Sequence, residues 1–133
     1  MEDETRLPIR TDYDIVAARE KGRSLARQIG LSSTESTLVA TAISELARNI
    51  VRYAKQGEII IGLVEDGERK GIELEARDEG PGIPDMDRAM QAGYSTSGSL
   101  GLGLPGVRRL MDEFEITSRV GAGTIVRVKK WKQ

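Results

Sequence analysis

Several short sets of polar residues in this chain have the spacing that phosphate chemistry asks for. Glu45 and Asn49 are four residues apart in an apolar-periodic segment, so on a helix they share one face, one turn apart. Arg52 continues that stripe and Arg48 flanks it. A carboxylate over a carboxamide suits Mg²⁺, which takes few protein oxygens and keeps waters. The same residues also suit a solvated helix face carrying weak ion pairs. Asp78 ends an apolar run and is followed by Gly80-Pro81-Gly82. Glycines there let a backbone approach a ligand, and a fixed carboxylate can accept a hydrogen bond from an exocyclic amine; an ordinary Asp-Gly turn is the competing reading. Gly98 to Pro105 is a glycine loop opening a helix, which offers free N–H groups and a positive dipole end to phosphates.

Those residues must be held by elements that the pattern also predicts. Leu7 to Arg10 reads as a first strand. Thr11 or Asp12 caps a helix in which Ile15, Ala18, Gly22, Leu25 and Ile29 recur, with Gly30 as its stop. Ser32 to Glu35 is a capping box for a second helix, expected to run to about Ala54 and to carry Glu45 and Asn49. Glu58–Val64 and Lys70–Arg77 read as strands joined by Asp66-Gly67-Glu68-Arg69. Asp85–Gln91 reads as a short helix, and the small, polar, glycine-rich Ala92–Gly103 as a mobile loop. Pro105 fits the first position of a helix reaching about Glu113. Phe114–Val120 and Thr124–Trp131 form a closing hairpin around Gly121-Ala122-Gly123. The sum is an α/β (α+β) two-layer sandwich: one mixed, mainly antiparallel sheet with helices on one face.

Composition narrows the chemistry. The 133 residues suit a single domain spanning 1–133, without linker or repeat. With 20 basic and 21 acidic residues there is no charge excess to attract nucleic acid or a membrane surface. The acidic start, Met1 to Arg10, reads as no signal peptide, and no run is long enough to span a bilayer, so a cytoplasmic location is expected. The chain has no Cys and no His, which removes thiolate and imidazole metal sites, Cys nucleophiles, His triads and the His-Arg-Asp loop of ordinary protein kinases. No phosphate-loop Gly-Lys-Ser/Thr occurs. Gly101-x-Gly103-x-x-Gly106 matches the dinucleotide fingerprint in letters, but no strand precedes it and 27 residues after Gly106 leave too little chain for that fold.

The order of these features, Glu45-x-x-x-Asn49, Asp78-x-Gly80-x-Gly82, Gly101-x-Gly103 and Gly121-x-Gly123-Thr124, resembles the four boxes of the GHKL superfamily and covers most of the chain. The resemblance implies the Bergerat ATP-binding fold. It places Asp78 on the adenine amine, Gly80, Gly82 and Ile83 around that pocket, and Thr124 as a water-bridging partner. It makes Asn49 the Mg²⁺ ligand, Glu45 the catalytic base, Arg52 a phosphate contact and Tyr53 an aromatic packed on adenine. Gly101, Gly103 and the amide of Leu104 become the lid hinge at the triphosphate. The strings Ser44–Ile50, Gly93–Gly98 and Gly101–Val107 are most similar to the stressosome switch serine/threonine kinases. Those kinases phosphorylate Ser or Thr of STAS-domain proteins and then bind a PP2C-type phosphatase regulator. A non-catalytic nucleotide-binding switch module and an anti-sigma-factor type kinase are the alternatives. One departure bears on mechanism: Tyr94–Gly103 holds no Lys or Arg, where related anti-sigma kinases carry a basic residue. Transition-state charge then falls to Mg²⁺, Arg52 and backbone amides, or to a group from the partner. For Arg48, phosphate and partner contacts both remain open.

Overall fold

The computed structural model describes residues 4–82 and 103–133. The chain starts with strand β1 (Thr5–Ile9) and helices α1 (Asp12–Gln28) and α2 (Ser33–Asn49), followed by a π-helical turn at Ile50–Ala54. Strands β2 (Gly57–Asp66) and β3 (Arg69–Asp78) come next, then helix α3 (Gly103–Leu110) and strands β4 (Glu113–Arg119) and β5 (Gly123–Trp131). The expected short helix at 85–91 lies outside the described residues, as does the expected loop at 92–103 up to Gly103, which instead opens α3.

The helix starts follow from local chemistry. Thr11 Oγ1 accepts from the amide of Asp14, while Asp14 Oδ2 accepts from the amides of Arg10 and Thr11. At α2, Ser32 Oγ accepts from the amide of Glu35 at 3.0 Å and Glu35 Oε1 accepts from the amide of Ser32 at 2.8 Å. Each box satisfies N–H groups that a helix start leaves without partners. The carboxylate of Glu35 also accepts from the amide of Gln133 at 3.0 Å, tying the end of the chain to the start of α2. These N–H donors, that of Ser32 foremost, hold the Glu35 carboxyl below the usual carboxylate range.

The five strands lie in the order β1-β2-β3-β5-β4, and every pairing is antiparallel. A parallel pair is therefore absent among the described residues, and the sandwich keeps its expected two layers. Register explains the layering. One face carries Leu7, Ile59, Ala76, Val126 and Ile116 in a row, with Ile61, Leu74, Val128 and Phe114 in the next. These join Val39, Ile43, Leu46, Ile50 and Val107 from the helical side in one core. The other face carries charge: Arg127 pairs with Glu75 and Glu115, Arg6 with Glu58, and Lys129 with Glu73 and Glu113. Alternation at period two makes one face core and the other solvated.

Helices α1 and α2 pack closely at Gly22, where a Cβ would lie 2.0 Å from Ile43 Cδ1. The strand limits move by one or two residues from the pattern, and two helix boundaries differ in ways that bear on the site. Helix α3 starts at Gly103, so Pro105 sits in its first turn, where the missing N–H costs nothing, and Glu113 belongs to β4. Helix α2 keeps α-winding only to Asn49; from there to Ala54 the turn is wider. That winding buries Ile50 at 2% exposure and leaves Arg52 and Tyr53 exposed. It also breaks the α-helical stripe that was expected to carry Arg52 in line with Glu45 and Asn49.

Candidate active site

Two groups of the sequence-derived candidates come together, one at each end of a path along α2. The first is built on Glu45. Its residue is 8% exposed, and a charge taken that far from water needs partners. It has two: Oε1 accepts from the amide of Gly103 at 3.1 Å, and Oε2 accepts from Arg48 Nη1 at 2.5 Å. Gly103 opens α3 with φ +68, a backbone shape that glycine adopts without strain. Leu104 is buried and its side chain joins the core. Asn49, one turn beyond Glu45, is half-buried, and its carboxamide takes no hydrogen bond among the described residues.

The second group is built on Asp78, the last residue of β3 and the register partner of Thr124 on one side and Gly57 on the other. Oδ1 of Asp78 accepts from the amide of Gly80 at 2.9 Å, the Asx-turn bond that bends the chain after the strand. Gly80 lies against the π-helical turn, where a Cβ would come within 2.6 Å of Ala54 Cβ. Gly82 has φ +79, and the carbonyl of Pro81 accepts from the amide of Gly121 at 2.9 Å, fastening this loop to the β4–β5 turn. Thr124 is buried and its hydroxyl lies 2.8 Å from Ser118 Oγ. A cleft of about 960 Å³ opens at this end of the sheet, lined by Asp78, Glu79 and Thr124 and by Arg10, Arg77 and Arg119 among others.

The π-helical turn joins the groups, because Asn49 precedes it and Ala54 touches Gly80. Lys55, at φ +73, closes it and leads into β2 at Gly57. Tyr53 is 46% exposed on it, beside the exposed Arg52. Ile83 and Gly101 lie outside the described residues. Sequence reasoning missed Ser118, whose role as the partner of Thr124 follows only from strand register. It left Arg48 undecided, although the i,i+3 spacing to Glu45 already held the signal. Among the described residues no three His, Cys, Asp or Glu side chains cluster to hold a metal. A metal here would rest on substrate oxygens and water as well as protein, as Mg²⁺ does with phosphates.

A buried carboxylate beside a helix start, a carboxamide one turn on that takes no hydrogen bond among the described residues, and a fixed aspartate at a glycine-walled strand end are carried by a two-layer α/β sandwich. The chain belongs to the histidine kinase-like ATPase domain family, whose profile matches residues 8–130. It is an enzyme of that family, an ATP-using protein serine/threonine kinase of the GHKL type. Over 131 residues it is 50% identical to serine/threonine-protein kinase RsbT of Bacillus subtilis, covering 98% of each chain. It is also 32% identical over 121 residues to the anti-sigma F factor of Caldanaerobacter subterraneus subsp. tengcongensis, covering 86% of this chain and 82% of that one. Among solved structures, the RsbU and RsbW domains of Rv1364c from Mycobacterium tuberculosis share the fold. That match has a TM-score of 0.67 at 20% identity, over 96% of this chain and 31% of the other. The catalytic domain of histidine kinase ThkA shares it too, with a TM-score of 0.55 at 15% identity over 96% of each chain. Among the described residues no helix is long and apolar enough to cross a membrane.

Proposed function

We propose that this kinase transfers the γ-phosphoryl group of ATP to a serine or threonine hydroxyl on a STAS-domain protein. It then switches partners and activates a PP2C-type phosphatase by docking, within a cytoplasmic stressosome stress pathway. The kinship to RsbT and to anti-sigma F factors supports a partner-switching role, and the identity over almost the whole length of RsbT favours this branch over an anti-sigma kinase.

The observation that carries the chemistry is the setting of Glu45: a buried carboxylate, held at both oxygens, facing the start of α3. In the proposed step the acceptor hydroxyl oxygen bonds to the γ-phosphorus while the bond to the β,γ-bridging oxygen breaks. That electron pair leaves with ADP, and the hydroxyl proton passes to Glu45. Asp78 accepts a hydrogen bond from the adenine amine through the oxygen that Gly80 leaves free. Gly80 and Gly82 admit the base, Tyr53 packs beside it, and Thr124 reaches it through water. Gly103 and the Leu104 amide serve the phosphates, with Arg52 adding positive charge; for Gly101 and Ile83 the roles of lid hinge and pocket residue rest on the family resemblance alone. Asn49 would hold Mg²⁺, which supplies charge neutralisation when bound. Positioning and neutralisation then carry most of the rate, as phosphoryl transfer needs little covalent help.

The test is to incubate the purified chain with Mg²⁺, γ-labelled ATP and an extract of its own source, beside Glu45→Ala. The expected result is one acid-stable labelled band on a STAS-domain protein, absent with the variant. ATP binding with no label on any protein would move the function to docking alone.

A further inference from the structure

The contact between Arg48 and Glu45 has a use that the proposed function leaves unassigned. The Glu45 side chain keeps 10% of its exposure and the Arg48 side chain 34%, so the carboxylate is buried while the guanidinium reaches toward solvent. The two oxygens of Glu45 meet different partners. Oε2 is taken by a cation on the same helix, one turn on, and Oε1 by the amide that opens α3. A carboxylate has about four acceptor positions, so Oε1 keeps one for a hydroxyl.

We propose that Arg48 is the positioning residue of the transfer step. It fixes the rotation of the Glu45 carboxylate so that Oε1 faces the acceptor hydroxyl, and it screens Oε2 from the triphosphate. This rests on Glu45 acting as the base. The physical reason is repulsion. A carboxylate beside a triphosphate is pushed away from the position it must hold, and water cannot screen a side chain this buried. A guanidinium on the far oxygen offsets that push without entering the path of the phosphoryl group. Arg48 thus acts through Glu45, touching neither nucleotide nor acceptor.

Three variants of the full chain test this: Arg48→Met, Arg48→Lys and Glu45→Gln, each measured for ATP affinity and for single-turnover loss of the γ-label from Mg²⁺-ATP. The turnover is followed with and without an added STAS-domain protein, so that water serves as acceptor when no protein does. Arg48→Met is expected to slow the chemical step roughly ten- to hundredfold, the scale of a misplaced reacting group, and, because Glu45 then meets the triphosphate unscreened, to weaken ATP binding by a smaller factor than it slows the step. Only Nη1 makes the contact, so Arg48→Lys should recover part of the rate by restoring the charge without the fork. Loss of ATP affinity in Arg48→Met with an unchanged chemical step would make Arg48 a phosphate ligand and overturn the proposal. So would an unchanged rate. Should Glu45→Gln match the wild type, the base assignment itself falls, whatever Arg48 does. Without nucleotide or metal, thermal melts of Arg48→Met, Glu45→Gln and the double variant give a second readout. A double shift smaller than the summed single shifts is expected, and simple additivity would show that the pair does not form.

Discussion

Replacing Asp78 by Asn isolates one hydrogen bond at the nucleotide. Oδ1 of Asp78 accepts from the amide of Gly80 at 2.9 Å, and the carboxamide oxygen of an Asn can accept the same bond. The strand end and the glycine loop should therefore keep their shape. The second oxygen takes no bond among the described residues and is the one free to face an adenine amine. In the variant it becomes an NH₂ group, which sets donor against donor. Losing a hydrogen bond to a charged acceptor costs about 1.5–3 kcal/mol, or roughly ten- to hundredfold in affinity. Titration calorimetry with ATP and with inosine triphosphate measures it. Inosine carries a carbonyl where adenine carries the amine, so the variant should lose its preference for ATP and gain relative affinity for the inosine nucleotide. The melting temperature should stay at the wild-type value. Unchanged ATP affinity together with an unchanged ratio between the two nucleotides would refute the reasoning.

Other outcomes follow from the packing and the caps. The Glu35 carboxyl titrates lower folded than unfolded, so its contribution is complete above the unfolded value and disappears as pH falls through the folded one. Glu35→Gln should cost about 1 kcal/mol near neutral pH and flatten the acid limb of a stability–pH curve from urea melts. An equally steep limb would assign the acid sensitivity elsewhere. Gly82→Ala and Gly121→Ala make a matched pair, since both glycines have left-handed φ. A Cβ at Gly82 would lie 2.5 Å from the Arg119 carbonyl, while at Gly121 it meets nothing within 4 Å. Both should lose roughly 1–2 kcal/mol of stability to the backbone shape alone. The Gly82 variant should lose more and also bind ATP less tightly, as read by melts and calorimetry. Ile61→Ala empties a fully buried position beside Leu74 and should cost about 2–5 kcal/mol in a denaturant melt, with the slope unchanged.

Much of this protein was legible in one dimension because its signals are local. The Ser32–Glu35 capping box, the cap at Thr11, the β2–β3 and β4–β5 hairpins and the period-two strands depend on neighbours a few residues apart, and they stand where the pattern put them. Glu45 and Asn49 share a face of α2 because helical spacing requires it, and Asp78 ends its strand because the glycines and proline after it cannot continue one. Contacts between distant segments were decided only by the tertiary structure. Gly103 meets Glu45 across 58 positions, and Gln133 meets Glu35 across 98. Ser118 reaches Thr124 because two strands pair in one register. The π-helical winding after Asn49 belongs here as well. Its residues read as more α-helix, and the wider turn that buries Ile50 and sets Ala54 against Gly80 appears only when helix, sheet and loop share one core. Spacing along the chain sets which side chains share a face. Close packing between faces sets which distant groups meet, as the amide of Gly103 meets Glu45.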